Sequence, residues 1–196
     1  FNLTNALGVN PVSGAVEVCQ PYRKQRYTSR AHILVTNQVM TLSLPVERRS
    51  KRAPISDKSV IYQEDWQGNH WRSIKFAYTS SPYFEYYEDE LKAFFKKKYD
   101  SLLELNLETT RFLLKAMGIQ TAVVPTEKLL QTDDYVHDHR LDFDPGRSEW
   151  PDWLQEVPYT QVFPGFEKDL SGLDLLVNLG PESRLHLQRL IFSEKN

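Results

Sequence analysis

The hydrophobic residues of this chain change their spacing once, near residue 66, and no other feature constrains the fold as strongly. Before that point, the segment AHILVTNQVMTLSLPV (31–46) alternates apolar and polar side chains, with a break at Asn37 and Gln38. Alternation with a period of two is typical of half-buried strands, and Asn tolerates the positive φ of a two-residue hairpin turn. We therefore predict a β-hairpin that ends at Pro45. Its alternating apolar residues are Ile33, Val35, Met40, Leu42 and Leu44.

After residue 66 the apolar residues fall at the spacing of one face of an α-helix. A first helix is predicted from Trp66 to the Ser-Ser-Pro break at 80–82, and a second follows that break. A third is predicted to be capped by Asp100 or Ser101 and to end at Gly118. The apolar faces comprise Trp66, Ile74 and Ala77, then Leu91, Phe94 and Phe95, then Leu103, Leu107, Leu114 and Met117.

Shorter elements complete the predicted fold. A C-terminal helix is indicated by Ser171 and Asp174, which resemble a capping box, and by the stop at Gly180 and Pro181. The whole chain, 1–196, is predicted to be one α+β domain: a small antiparallel β-sheet from the N-terminal part, with a largely helical middle and C-terminal part. Further predicted elements are strands within 15–19, 58–63 and 118–125, a long aperiodic loop over 131–153, and a helix over 183–192.

Composition excludes several classes of protein. Cys19 is the only cysteine, so an internal disulfide and a cysteine-rich zinc site are both impossible. The net charge of −2 gives no general attraction to nucleic acid, and we expect no nucleic-acid partner. Because no apolar run reaches about 18 residues, we expect no membrane span. The chain shows no signal peptide, so we expect a cytoplasmic protein. It begins at Phe1 rather than Met, so we expect either processing or an incomplete N-terminus.

No standard catalytic or cofactor-binding signature is present, and we expect no cofactor. Cys19 ends an apolar segment, where a buried, unreactive thiol is favoured over a nucleophile. His137 and His139 lie among carboxylates, and these residue types ligate divalent metals. A solvated polar loop is the favoured interpretation of the two histidines, so no metal site is predicted.

Two other segments concentrate residues that could carry chemistry. The first, PYRKQRYTSR (21–30), interleaves cations such as Lys24 and Arg30 with tyrosines, a pattern suited to a phosphate beside a ring. A solvated edge strand protected by its charges is the open alternative. The second, WQGNHWRSIKFAYTSSPYF (66–84), puts the proton acceptor His70 and cations on neighbouring helix faces among aromatic rings. A buried structural histidine is the open alternative there.

The succession of these motifs resembles the WbqC-like protein family. The resemblance rests on YRKQRYTSR (22–30), LSLPVE (42–47), residues 66–84, LLELN (102–106) and YTQVFPGFEKDLSGLDLLVNLGPES (159–183), in that order. The family's recurring motifs coincide with Lys24, Gln25, Arg30, His70, Lys75 and Tyr83.

The resemblance implies a bacterial protein of surface-polysaccharide (O-antigen type) biosynthesis, with acyl or aminoacyl transfer to a nucleotide-linked amino sugar as the suggested reaction. On this hypothesis His70 is the general base, and Lys75 or Arg72 stabilises the oxyanion. The substrate is a small molecule, a nucleotide sugar or an acyl donor. Its predicted binding residues are Lys24, Gln25, Arg30, Trp71, Arg72 and Tyr83. The alternative hypothesis is a non-catalytic binding or assembly protein of the same pathway.

Overall fold

A computed structural model describes residues 14–19, 21–22, 27–36, 38–47, 53–127 and 157–191. The described part of the chain is α+β, as predicted from the sequence, with its helices in the middle and at the C-terminal end. In chain order the elements are β1 (Gly14–Glu17), β2 (Arg30–Val35), β3 (Gln38–Ser43), α1 (Trp66–Tyr78), α2 (Phe84–Lys96), α3 (Leu102–Ala116), β4 (Val123–Thr126), α4 (Gly172–Leu179) and α5 (Ser183–Ile191).

The predicted hairpin is present, but its turn lies one residue earlier than expected. Strands β2 and β3 pair antiparallel from Arg30 with Ser43 to Val35 with Gln38, so Gln38 belongs to the ladder and not to the turn. Thr36 follows Val35 with φ of 42°, a conformation that β-branched residues seldom adopt. The register of pairing therefore determined the position of the turn, and local turn preference did not.

A second small sheet brings distant parts of the chain together. β1 and β4 pair in parallel, with Gly14 opposite Val123 and Glu17 opposite Thr126. The sequence predicted both strands but an antiparallel sheet only, because local patterns carry no information on which distant strands pair. The predicted strand at 58–63 is wrong, since Ser59 and Val60 make only isolated bridges.

Capping residues define the ends of the helices. At α1, the Asp65 carboxylate accepts a hydrogen bond from the Gly68 N–H at 3.0 Å. A Cβ on Gly68 would lie 2.3 Å from that carboxylate, so the close approach requires glycine. At α3, the Ser101 hydroxyl accepts from the Leu103 N–H at 3.1 Å. Gly118 follows that helix with φ of 69°, as predicted for a helix C-terminus.

The predicted capping box at α4 is wrong. Ser171 is the N-cap residue, but its hydroxyl makes no cap hydrogen bond. The Asp174 N–H donates instead to the main-chain carbonyl of Ser171 at 2.9 Å. The Asp174 side chain is instead fully buried and bonded to other segments. A tertiary network therefore replaced the local cap.

Three clusters of buried side chains form the core. The first joins α3, β4, α4 and α5 around Leu176, and the second joins the hairpin, α1, α2 and α4 around Tyr78. The third lies around Leu102 at the start of α3 and includes Trp66 and Tyr99. Among the helices described, none has the length and apolar character needed to cross a membrane.

Candidate functional site

A cavity of about 130 Å³ lies between the hairpin and the first three helices. Its walls are mostly apolar and draw on all three core clusters, so it occupies the place where these clusters meet. The apolar walls include Ile33 and Leu42 from the hairpin, Ile74 from α1, Leu91 and Phe95 from α2, and Leu105 from α3.

His70 is half-buried in the wall of this cavity. Burial lowers the pKa of His70 below its ordinary value of 6.5, although a hydrogen bond to the Ser43 backbone partly opposes the shift. The Trp66 ring meets the imidazole edge-to-face, with 5.4 Å between ring centroids. The imidazole is therefore neutral at pH 7, with one nitrogen bonded to the hairpin and the other able to accept a proton.

Other polar side chains reach the cavity from the hairpin and from α3. Arg30, the first residue of β2, is half-buried in its wall. Asn106 and Thr109 of α3 also line it, but both donate to main-chain carbonyls at 2.8 Å, those of Thr28 and Leu105 respectively. Arg30 and His70 are therefore the side chains of this wall best placed to contact a ligand's polar atoms.

Three buried polar atoms of the cavity's lining residues find no hydrogen-bond partner in the described part of the chain. They are Thr28 Oγ1, Trp66 Nε1 and Ser171 Oγ. Buried polar groups are paired in the large majority of cases, and leaving one unpaired costs about 1–3 kcal/mol. All three atoms are closed off from the cavity by neighbouring atoms, so they lie behind its apolar wall and do not face a ligand in it.

The cations predicted on α1 lie outside the lining of this cavity. Lys75 Nζ donates to Glu88 Oε1 of α2 at 2.6 Å, with 51% of the lysine side chain exposed. Arg72 is exposed and donates to Asn69 Oδ1, one turn earlier, also at 2.6 Å. The sequence placed a cation on a helix face next to that of His70, and in the structure neither Lys75 nor Arg72 lines the cavity.

The predicted stacking residues also lie elsewhere. Trp71 packs in the core, with ring centroids 6.3 Å from Phe84 and 5.9 Å from Phe95. Tyr83 precedes α2, and its N–H donates to the Val177 carbonyl at 3.0 Å. Its ring covers Gly180, where a Cβ would lie 2.5 Å from a ring carbon. Both rings therefore have packing roles.

Several residues named from the sequence lie outside the described residues, namely Lys24, Gln25, His137 and His139. Cys19 lies within the described part and is half-buried just after β1. No group of three or more residues with metal-binding side chains occurs among the residues that the structure describes.

The sequence did not anticipate a buried acid, Asp174, at the centre of a second polar cluster. Its carboxylate accepts from the Tyr159 hydroxyl at 2.6 Å, and from Asn178 Nδ2 and Gln161 Nε2 at 3.3 and 3.4 Å. The Tyr78 hydroxyl also interacts with it. Burial raises the pKa of Asp174 above its ordinary value, while these four donors oppose the shift.

A signal for this cluster was present in the sequence. Asp174 stands between Leu173 and Leu175 on a strongly apolar helix, where an acid without a buried partner would be costly. The interpretation as a capping box accounted for the residue locally and so concealed its tertiary role. Because Asp174 does not line the cavity, we assign the cluster to the folding of residues 159–178.

Comparisons with known proteins give one family and one relative. The model of the WbqC-like protein family matches residues 19–144, more than half of the chain. A protein of Mycobacterium tuberculosis titled "Uncharacterized protein Rv1507c" is 24% identical over 193 residues, covering 85% of this chain and 84% of that protein. No solved structure gives a significant match.

Proposed function

Because the chain belongs to the WbqC-like protein family, we propose that it acts in the biosynthesis of a bacterial surface polysaccharide of the O-antigen type. The proposed reaction is transfer of an acyl or aminoacyl group to the amine of a nucleotide-linked amino sugar, in the cytoplasm. The observation that carries the proposal is a neutral, half-buried histidine in the wall of a cavity.

In the proposed reaction the sugar amine attacks the acyl carbon, a C–N bond forms, and the bond to the donor's leaving group breaks. His70 accepts the proton released by the amine. Its lowered pKa suits this role, because the base is already deprotonated at neutral pH. Arg30 lies in the same wall and is the proposed donor to the developing oxyanion.

The other residues selected from the sequence take more distant roles in the proposal. Lys24 and Gln25 belong to the family motif that precedes Arg30, and we propose that they contact the phosphates of the nucleotide. Lys75 and Arg72 are held by Glu88 and Asn69, so the proposal gives them no part in oxyanion stabilisation. Trp71 supports the packing of α1 on α2, and Tyr83 supports the packing of the start of α2 on α4.

A non-catalytic binding protein of the same pathway is the second candidate function. It is favoured by the engagement of Lys75 and Arg72, which leaves His70 with fewer cations nearby than the sequence indicated. Such a protein would bind the same ligand in the same cavity without forming a product.

Replacement of His70 by Gln distinguishes the two functions. Glutamine retains a side-chain donor for the Ser43 backbone but cannot act as a base at neutral pH. We expect His70→Gln to lower acyl transfer by about 10²–10⁴-fold. The assay combines UDP- and dTDP-linked amino sugars with acyl-coenzyme A donors and detects the acylated sugar by mass spectrometry.

His186→Gln is the matched control. His186 is buried in α5, and burial lowers its pKa as it does for His70, but it does not line the cavity. We expect this variant to lose some stability and to retain transfer. Binding of a nucleotide sugar with no product from the unsubstituted protein would favour the binding function. Equal loss of transfer in both variants would contradict the role of His70.

A further inference from the structure

The wall of the cavity has a partly exposed polar edge and a buried apolar interior, and this division selects among the groups that could be transferred. We infer that the site takes an aliphatic acyl group whose hydrocarbon chain fills the cavity, while its carbonyl stays at the edge beside His70 and Arg30. The inference rests on the proposed function in taking this cavity as the substrate site. It excludes acyl groups that carry an amino or hydroxyl group on the chain.

The interior of the cavity is apolar. Ile33, Leu42, Ile74 and Leu105 are all buried and line it from the hairpin, α1 and α3. The unpaired polar atoms of the lining residues are closed off behind this wall, so a ligand inside meets carbon atoms almost throughout. A polar group loses its hydrogen bonds to water when it enters such a space, whereas a hydrocarbon chain has none to lose. The interior therefore selects a hydrocarbon.

The polar side chains that could face a ligand lie at the edge of the wall. Arg30 and His70 line the cavity but are only half-buried, so both remain accessible to solvent. Of the described residues that line the cavity, none is Asp or Glu, so an ammonium ion inside would have no carboxylate partner. An acyl donor therefore fits in one orientation, with the terminal methyl group inside and the carbonyl at the edge where the proposed base lies.

The volume of the cavity limits the length of the chain. Native interiors retain few voids larger than a water molecule, because unfilled space costs stability. An engineered apolar cavity of about 150 Å³ binds one benzene molecule, so the cavity here, of about 130 Å³, holds about five carbon atoms. A hexanoyl group has this number beyond its carbonyl. An acetyl group would leave most of the space empty, and a decanoyl group exceeds it.

Hexanamide and 5-hydroxypentanamide test the apolar interior without any reaction. They have the same number of non-hydrogen atoms, and the second carries a hydroxyl in place of the terminal methyl group. The readout is the methyl ¹H–¹³C resonances of Ile33 and Ile74 during titration of the full chain. We expect hexanamide to shift both saturably and 5-hydroxypentanamide to bind about tenfold more weakly, because its hydroxyl would be buried unpaired. Equal binding of the two compounds, or no shift at either isoleucine, would overturn the inference.

Two alanine positions supply matched variants. Ala31 lines the cavity on the face of β2 that also carries Ile33, so a larger side chain there occupies space that the ligand needs. Ala93 is exposed on α2 and does not line the cavity. We expect Ala31→Leu to weaken hexanamide binding by about tenfold or more, and Ala93→Leu to leave it unchanged. If Ala31→Leu does not fold, the smaller Ala31→Val replaces it, with about fivefold weakening expected. Unchanged binding in the folded Ala31 variant would contradict the assignment of the site.

The chain length of the donor tests the size limit within the proposed reaction. Each methylene group contributes about fourfold to affinity when it is fully buried. Among acyl-coenzyme A donors, we therefore expect kcat/KM to rise by about tenfold or more from acetyl to hexanoyl and to fall again at decanoyl. A series without a maximum at intermediate length would contradict the size of the site.

Failure of the inference is distinguishable from failure of the proposed function. If the protein transfers no acyl group but hexanamide still shifts Ile33 and Ile74, the proposed reaction is wrong and the hydrocarbon site stands. If His70-dependent transfer occurs while 5-hydroxypentanamide binds as well as hexanamide, the reaction stands and the selection of a hydrocarbon chain is wrong.

Discussion

At the scale of single residues, folding shifts the pKa of the half-buried His70, the buried His186 and the buried Asp174. Burial is the first cause of the pKa shift in each case, and it favours the neutral form. Only His70 combines this environment with a cavity. His70 is therefore the candidate base, whereas His186 and Asp174 serve the fold. The sequence alone did not make this distinction.

Asp174→Asn tests the role of the buried acid. The amide introduces a donor where Tyr159, Gln161 and Asn178 already donate, so we expect the free energy of unfolding at neutral pH to fall by about 1–3 kcal/mol. Chemical denaturation at fixed pH measures the change. The exposed Asp89→Asn on α2 is the control and should change it by less than about 0.5 kcal/mol.

The raised pKa of Asp174 also predicts how the free energy of unfolding depends on pH. Because the pKa of Asp174 is raised on folding, the folded protein retains a proton that the unfolded chain has released. The contribution of this group to stability is therefore complete below the unfolded pKa of about 3.9, and it decreases as the pH rises through the folded pKa. The difference in free energy of unfolding between the original protein and Asp174→Asn should therefore decrease as the pH rises. An increase with rising pH would contradict a raised pKa.

At the scale of elements, the periodicity of the sequence predicted the helices because each buries one apolar stripe. Tyr78 and Leu91 are buried where that pattern requires. Local patterns failed where tertiary contacts decided the outcome. The turn was displaced to Thr36 by the pairing register, and the Asp174 N–H donates to the Ser171 carbonyl and not to the Ser171 hydroxyl. Sequence reasoning could not find the cavity, because its walls come from elements separated in the chain.

A pair of serine substitutions tests the difference between the two N-caps. Ser101 bonds the Leu103 N–H at the start of α3, so Ser101→Ala should lower the free energy of unfolding by about 1 kcal/mol. Ser171 occupies the same position at α4 without such a bond, so Ser171→Ala should change it by less than about 0.5 kcal/mol. Thermal or chemical denaturation measures both. A larger loss at Ser171 than at Ser101 would contradict the assignment of the caps.

At the scale of the whole molecule, segments far apart in sequence are held together around one cavity. The parallel pairing of β1 with β4 joins the N-terminal region to the end of α3, and the Tyr78 hydroxyl links the Leu34 N–H of the hairpin to Asp174 in α4. The family resemblance indicated which sequence motifs recur, and the structure added which of them meet. Of the named residues, Arg30 and His70 meet at the cavity, whereas Lys75 lies on another face of α1.

The position of the ligand site is the central claim, and a crystal structure of the protein with a bound acyl-coenzyme A donor tests it most directly. We predict electron density for the acyl group at the cavity, beside His70. Density instead at the exposed face of α1 that carries Arg72 and Lys75, or no density in a cavity that the lattice leaves open, would contradict the account.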